Sequence, residues 1–165
     1  MPQDIPGLTH CCRLQPTPEM QDYNGHVAAV QYVALFERGF AALLARLGLA
    51  RFAEGRVRLA SVEAHFDYRS EVFAGNDLSI ETRVLGVAGR HVHAVLVMFD
   101  RSRDALAAMS EFLFECRDTA TATPTALTPA ELEALAILAG DRNPLPEFIN
   151  LGRRIGIVRR PAPPA

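Results

Sequence analysis

An α+β fold, a curled antiparallel sheet of about five strands wrapped around one long helix, is what three features of this sequence predict. The segment Val27–Leu49 is apolar on nearly every side, so a helix there must be enclosed by other structure. Residues 58–117 switch to period-two alternation, with turn signals between the runs. Finally, 165 residues, 49% apolar and 22% charged, suffice for one domain with a hydrophobic core and are too few for two of ordinary size. The chain 1–165 therefore reads as a single domain with an irregular, proline-rich tail from about residue 141.

In chain order, residues 8–16 read as a strand closed by Pro16 and Pro18. PEMQDYNGH (18–26) is dense in turn and cap formers and leads into the long helix. That helix carries one thin polar stripe, Gln31, Arg38 and Arg46, and ends at Gly48. Glu37 lies about 100° off the stripe, so it is expected to be buried, and hence paired with a strand arginine or catalytic. In 58–68 one face carries Ala60, Val62, Ala64, Phe66 and Tyr68, and the other Ser61, Glu63, His65 and Asp67. Asp77–Leu85 alternates likewise, and His91–Phe99 is apolar on both faces after its first residues. Ser110–Arg117 sets Phe112, Phe114 and Cys116 against Glu111, Glu115 and Arg117. Turn signals AGND (74–77), GVAGR (86–90) and DRSRD (100–104) separate the runs, and such short connections imply antiparallel pairing. Thr128-Pro129-Ala130-Glu131 is a capping box opening a short helix that stops near Gly140. The mixed outer face of the sheet, with the doubly apolar Val95–Phe99, predicts cover by another copy of the chain, as a homodimer or dimer of dimers.

Composition narrows the function classes. A net charge of −2 argues against a nucleic-acid binder. All 17 basic residues are arginine, which excludes a Schiff-base or P-loop lysine. Cys11, Cys12 and Cys116 form no CxxC pair and read as small buried hydrophobes in a reducing cytoplasm. The first twenty residues lack a signal-peptide layout, and Gln31, Glu37, Arg38 and Arg46 interrupt the longest apolar stretch, so neither a leader nor a membrane span is expected. His91 and His93 share a strand face but have no third ligand near them in sequence; neither a metal nor a cofactor is expected.

The chemistry concentrates in Glu19–Val27. Asp22 stands three residues before Gly25, and the unpaired N–H groups of a helix start follow directly. Such a terminus carries roughly half a positive charge and can hold an anion or a developing oxyanion. Asp22 beside it can activate water or attack a carbonyl. On these residues alone, a helix cap by Asp22 or Asn24 is the competing reading.

PEMQDYNGHVAAVQYVALFERG resembles the signature of the hotdog-fold acyl-CoA thioesterases, the 4-hydroxybenzoyl-CoA thioesterase-like superfamily. Within it, the segment is most similar to the subgroup PE-x-x-DYNGHMN-x-x-x-Y-x-x-x-F, which includes betainyl-CoA thioesterase-like proteins. YRSEVFAGNDLSIETRVLGVAGRHVHAVLVMF is similar to the family's Y-x-x-E-x-x-x-GD-x-L and LG…R-x-H segments, and LGRRIGI resembles it weakly. The resemblance implies a hotdog fold and hydrolysis of a small or medium acyl-CoA to free acid and CoA. It makes Asp22 the general base or nucleophile, and it gives the main-chain N–H groups of Gly25, His26 and Val27 the task of polarising the thioester carbonyl. His26 would position substrate or only hold the loop. Asn24, Tyr32, Glu71, Arg69 and Arg90 are the implied substrate-binding residues; Tyr32 would line the acyl pocket or only pack the helix. Arg69, Arg90 and the Arg153–Arg154 pair would meet the phosphates of coenzyme A.

Two departures from the pattern matter. Ala28 replaces the usual asparagine, and Met20 stands where many relatives carry a catalytic aspartate. Catalysis then falls to Asp22, or to Glu19, Glu37 or Glu71. Met20 also occupies a position where the subgroup often has tryptophan, and this chain has none, which disfavours a quaternary-ammonium acyl group that would want an aromatic cage. Hydrophobic or aromatic acyl groups fit the composition at least as well. Two other readings stay open: a non-catalytic acyl-CoA-binding module, suggested by Ala28 and Met20, and an enoyl-CoA hydratase. The hydratase pattern D-x-N-x-x-H sets Asp and His five apart, whereas Asp22 and His26 are four apart.

Overall fold

A computed structural model describes residues 5–139 and 144–152. Strands β1 (Thr9–Leu14), β2 (Val57–Tyr68), β3 (Leu78–Ala88), β4 (His91–Asp100) and β5 (Ala105–Asp118) form one antiparallel sheet in the order β1-β3-β4-β5-β2. Helix α1 (Ala29–Arg46) packs on one face, a short α2 (Ala50–Ala53) follows it, and α3 (Pro129–Ala139) lies beside β3. This is the expected α+β hotdog arrangement.

Packing rather than local propensity holds α1 in place. Its start has no side-chain cap, yet Leu35, Phe36, Phe40 and Leu43 are buried. Phe40 stacks on Phe114 with centroids 4.9 Å apart, and Phe36 meets Phe66 and Phe112 at 6.1 and 6.2 Å. Each such side chain contributes about 1.5–3 kcal/mol by leaving water. The helix begins two residues later than its apolar run because Val27 bridges back to Gln21 and donates its N–H to Val72 O at 2.7 Å. It ends at Arg46, ahead of Gly48 with φ +63°.

The alternation of β2 is broken by a bulge between Ser61 and Glu63. Val57 and Leu59 pack in the core before it and Phe66 after it, so the inner face changes from odd to even positions and Val62 is left exposed. Ala60 and Val62 therefore do not share the inner face with Phe66. Glu37 is not buried as expected: it is exposed, and its carboxylate accepts a hydrogen bond from Ser61 Oγ at 2.6 Å rather than pairing with a strand arginine. β2 does not pair with β3, despite the short connection. It pairs with β5, and residues 69–77 form a crossover strap from one edge of the sheet toward the other.

The capping box forms as expected: Thr128 N donates to Glu131 Oε2 at 2.8 Å and Glu131 N to Thr128 Oγ1 at 3.3 Å. On the outer face, Val95, Val97 and Met109 are covered by Leu145, Phe148, Ile149 and Leu151, with Phe148 edge-on to Phe99 at 5.8 Å. Cover that the apolar strand led one to expect from a second copy is thus supplied by the chain's own segment 144–152. The helix stop near Gly140 and the Arg153–Arg154 pair lie outside the described residues.

Candidate active site

The loop between β1 and α1 is closed by its own backbone. Asp22 N donates to His26 O at 2.7 Å and Gly25 N to Asp22 O at 3.0 Å, with Gly25 at φ +80°. The Asp22 carboxylate takes part through one oxygen: Oδ1 accepts from Asn24 N at 2.8 Å and from His26 N at 3.3 Å, an Asx-type turn. Neither Asp22 nor Asn24 caps α1, whose N-cap is Ala28. Asp22 lines a cavity of about 340 Å³, and its Oδ2 has no hydrogen-bond partner among the described residues.

The amides expected to polarise the carbonyl are otherwise engaged. Gly25 N and His26 N serve the Asp22 turn, Val27 N is given to Val72 O, and Ala28 N to Met20 O at 2.9 Å. The donors left without an intrahelical acceptor are those of Ala29 and Val30, the first two helical residues, and Ala29 lines the cavity. Any oxyanion site at this helix end lies further along the chain than Gly25–Val27.

The strap forms the opposite wall. Arg69 N and Ser70 N both donate to Ala107 O, at 2.9 and 3.1 Å, and pin the strap's start to β5. Its Val72 is fully buried. Glu71 Oε2 lies 3.4 Å from His26 Nε2, and the Phe73 ring stands edge-on to the His26 ring at 4.9 Å. Tyr32 is buried, meets Tyr68 at 5.2 Å and 89°, and both rings line the cavity. Burial pushes both phenols above their ordinary pKa, most directly by desolvation, so both stay neutral at physiological pH. Arg69 lines the same cavity, with Nη2 2.6 Å from Asp67 Oδ2.

Asp22, His26, Val27, Tyr32, Arg69 and Glu71 are therefore brought together around one cavity, with Gly25 shaping the loop and Asn24 exposed on it. Arg90 is not brought there within one chain: its Nε donates to Glu115 Oε1 at 2.8 Å, near the far end of β5 from Ala107. Glu19 is exposed on the 3-10 turn before the loop. His91 and His93 pair with Glu115 and Glu111, and the described residues hold no cluster of three or more metal-ligating side chains. Ala29, Tyr68 and Ser70 join the cavity without a chemical signature of their own. Tyr68 ends an alternating strand and reads as packing, while Ala29 contributes only a main-chain donor.

Residues 16–150 match the family described as the thioesterase-like superfamily. Over 148 residues the chain is 33% identical to betainyl-CoA thioesterase of Pseudomonas aeruginosa, covering 85% of this chain and 89% of that protein. The chain belongs to the thioesterase-like superfamily. It is also 30% identical over 135 residues to the L-carnitine dehydrogenase/betainyl-CoA thioesterase of Agrobacterium fabrum, a match spanning 81% of this chain and 28% of that longer protein. Among solved structures, a Staphylococcus aureus protein in complex with CoA superposes at TM-score 0.77 with 19% identity, covering 96% of this chain and all of the other. DHNA-CoA thioesterase from Staphylococcus aureus superposes at 0.69 with 16% identity over 79% and 90% of the two chains. At these identities the likeness is one of fold. Thioester hydrolysis of an acyl-CoA is the activity that the superfamily match and the named thioesterase relatives support.

Proposed function

We propose that this thioesterase-superfamily member hydrolyses the acyl-CoA thioester of a small or medium acyl group in the cavity between α1 and the strap. One observation carries the reading: Asp22, whose Oδ2 has no hydrogen-bond partner among the described residues, Ala29 at the uncapped start of α1 and Tyr32 all line a single cavity. The carbonyl oxygen sits against the Ala29 and Val30 N–H groups, where charge developing on it is stabilised by preorganised donors. In one route Asp22 takes the proton of a water that attacks the carbonyl carbon, the C–S bond breaks and the proton passes to the departing thiolate. In the other the Asp22 carboxylate attacks that carbon and expels the thiolate; water then hydrolyses the mixed anhydride, restoring the carboxylate and supplying one proton to the product acid and one to the thiolate. The products are a carboxylic acid and CoA. His26, held by Glu71 and Phe73, orients the thioester, and Arg69 offers its guanidinium to the phosphates of CoA.

The cavity favours an apolar or aromatic acyl group. A trimethylammonium acyl group is the second reading, because Tyr32 and Tyr68 put two neutral aromatic rings in the wall with Glu71 beside them, and an aromatic face attracts such a cation. Free-thiol release measured over straight-chain, aromatic and betainyl-CoA thioesters separates these. A rate on none of them, with CoA still bound, would make the protein a non-catalytic binding module.

The working form is at least a homodimer in a reducing cytoplasm. β2 supports the first half: it is a twelve-residue edge strand with unpaired backbone groups and an exposed Val62, the kind of edge that a second copy covers. The three cysteines, all free thiols, support the second. Light scattering at micromolar concentration should return a multiple of 18.1 kDa; a monomer mass overturns the dimer.

A further inference from the structure

We infer that Arg103 is a positioning residue for the active site, acting through the strap against which His26 and Val27 lean. The turn between β4 and β5 grips the strap at both ends. At the far end Arg101 N donates to Asp77 O at 2.7 Å, and Asp77 N donates to Ser102 Oγ at 2.7 Å. That turn is itself closed by the fully buried Asp100, whose Oδ1 accepts from Ser102 N at 2.9 Å. At the near end Arg103 Nη1 donates to Glu71 O at 2.6 Å, and its guanidinium carbon lies 5.5 Å from the centre of the Phe73 ring.

Glu71 and Phe73 both meet the His26 ring, the carboxylate of Glu71 lying 3.4 Å from His26 Nε2 and the Phe73 ring standing edge-on to it. Between them Val72 O receives the Val27 N–H, two residues before α1 starts. One guanidinium therefore secures both supports of His26 and brackets the carbonyl that sets the entry to the helix. Arg103 does not itself line the cavity, so its effect passes through these neighbours. A lysine can supply the charged donor to Glu71 O but not the planar cation over Phe73.

The kinetic part of the test rests on the thioesterase reading. Arg103→Ala should lower kcat roughly tenfold, the scale of a slightly misplaced reacting geometry. KM should stay within about twofold, because no substrate contact is removed. Arg103→Lys should recover part of the loss, and both variants should melt near the wild-type temperature because Arg103 is exposed. The same fractional loss is expected on a pantetheine thioester that lacks the nucleotide. An unchanged kcat overturns the inference, and so does a loss confined to KM with the full CoA thioester, which would make Arg103 a phosphate contact. Should the wild-type protein release no thiol, the functional reading fails and histidine NMR decides. Arg103→Ala should shift the His26 ring resonances and leave those of His91 in place, whereas an unshifted His26 overturns the inference.

Discussion

Asp22 divides its carboxylate between structure and chemistry, and that makes Asp22→Asn a discriminating change. The amide keeps an Oδ1 to accept from Asn24 and His26, so the loop should hold and the melting temperature stay nearly constant. The other atom becomes an NH₂ that can neither take a proton nor attack a carbonyl, so kcat should fall about a hundredfold or more. A rate within about threefold of wild type would move the chemistry to Glu71, the other carboxylate on the cavity, since Glu19 and Glu37 are exposed elsewhere. Gly25 needs its φ of +80°, while nothing lies within 4 Å of where a Cβ would stand. Backbone conformation, not space, is thus the constraint: Gly25→Val should lose most turnover and Gly25→Asn much less, because asparagine tolerates the left-handed region. Equal turnover in the two variants would refute this. The DYNGH segment could be read as a site because its residues are contiguous. The fate of its amides could not, because the acceptor for Val27 N is Val72, far along the chain.

Among the elements, α1 comes very close to β3 at Gly39. A Cβ built on Gly39 would lie 2.6 Å from Ile80 Cγ2 and 2.8 Å from Ile80 Cβ, and Ile80 is a fully buried, β-branched residue on an interior strand. Gly39→Ala should therefore destabilise the protein by about 1–3 kcal/mol in a denaturant titration, even though alanine is the better helix former. Unchanged or increased stability would show that the helix can shift at little cost. Strands β3, β4 and β5 were legible from alternation and turn residues, and α3 from its capping box. The bulge in β2 was not, since one inserted residue leaves no mark in composition and Val62 looks like any inward valine. Nor was the crossover: a connection such as 69–77 is short enough to join neighbouring strands and carries a turn signal in AGND, and only the choice of β5 as partner for β2 reveals its role.

At the scale of the whole molecule, Arg13 on β1 binds Asp77, just ahead of β3, through both guanidinium and carboxylate atoms, with Arg13 Nε 2.9 Å from Asp77 Oδ1. The arginine hydrogen bond holds the Asp77 carboxyl below its ordinary value. A pKa depressed in the folded state adds stability that is present above the unfolded value and is lost as pH falls through the folded one. Arg13→Gln should thus cost under about 1 kcal/mol at neutral pH, as suits a half-exposed pair, and the difference from wild type should close on acidification below the ordinary aspartate range. A constant difference across that range would rule out the pair as its source. The tail's role as cover for Val95 and Val97 was not legible, because apolar residues in an irregular segment carry no period to mark a partner. The strand order has a kinetic consequence as well. β3, β4 and β5 can zip as neighbours, but β2 must wait for β5, which is made last of all the strands. Closing that long loop is expected to come late, so core truncations in β3–β5 should slow refolding, whereas Leu59→Ala in β2 should chiefly hasten unfolding. Until β5 emerges from the ribosome, β2 is an extended segment without its partner, and a nascent chain is most open to aggregation in that interval.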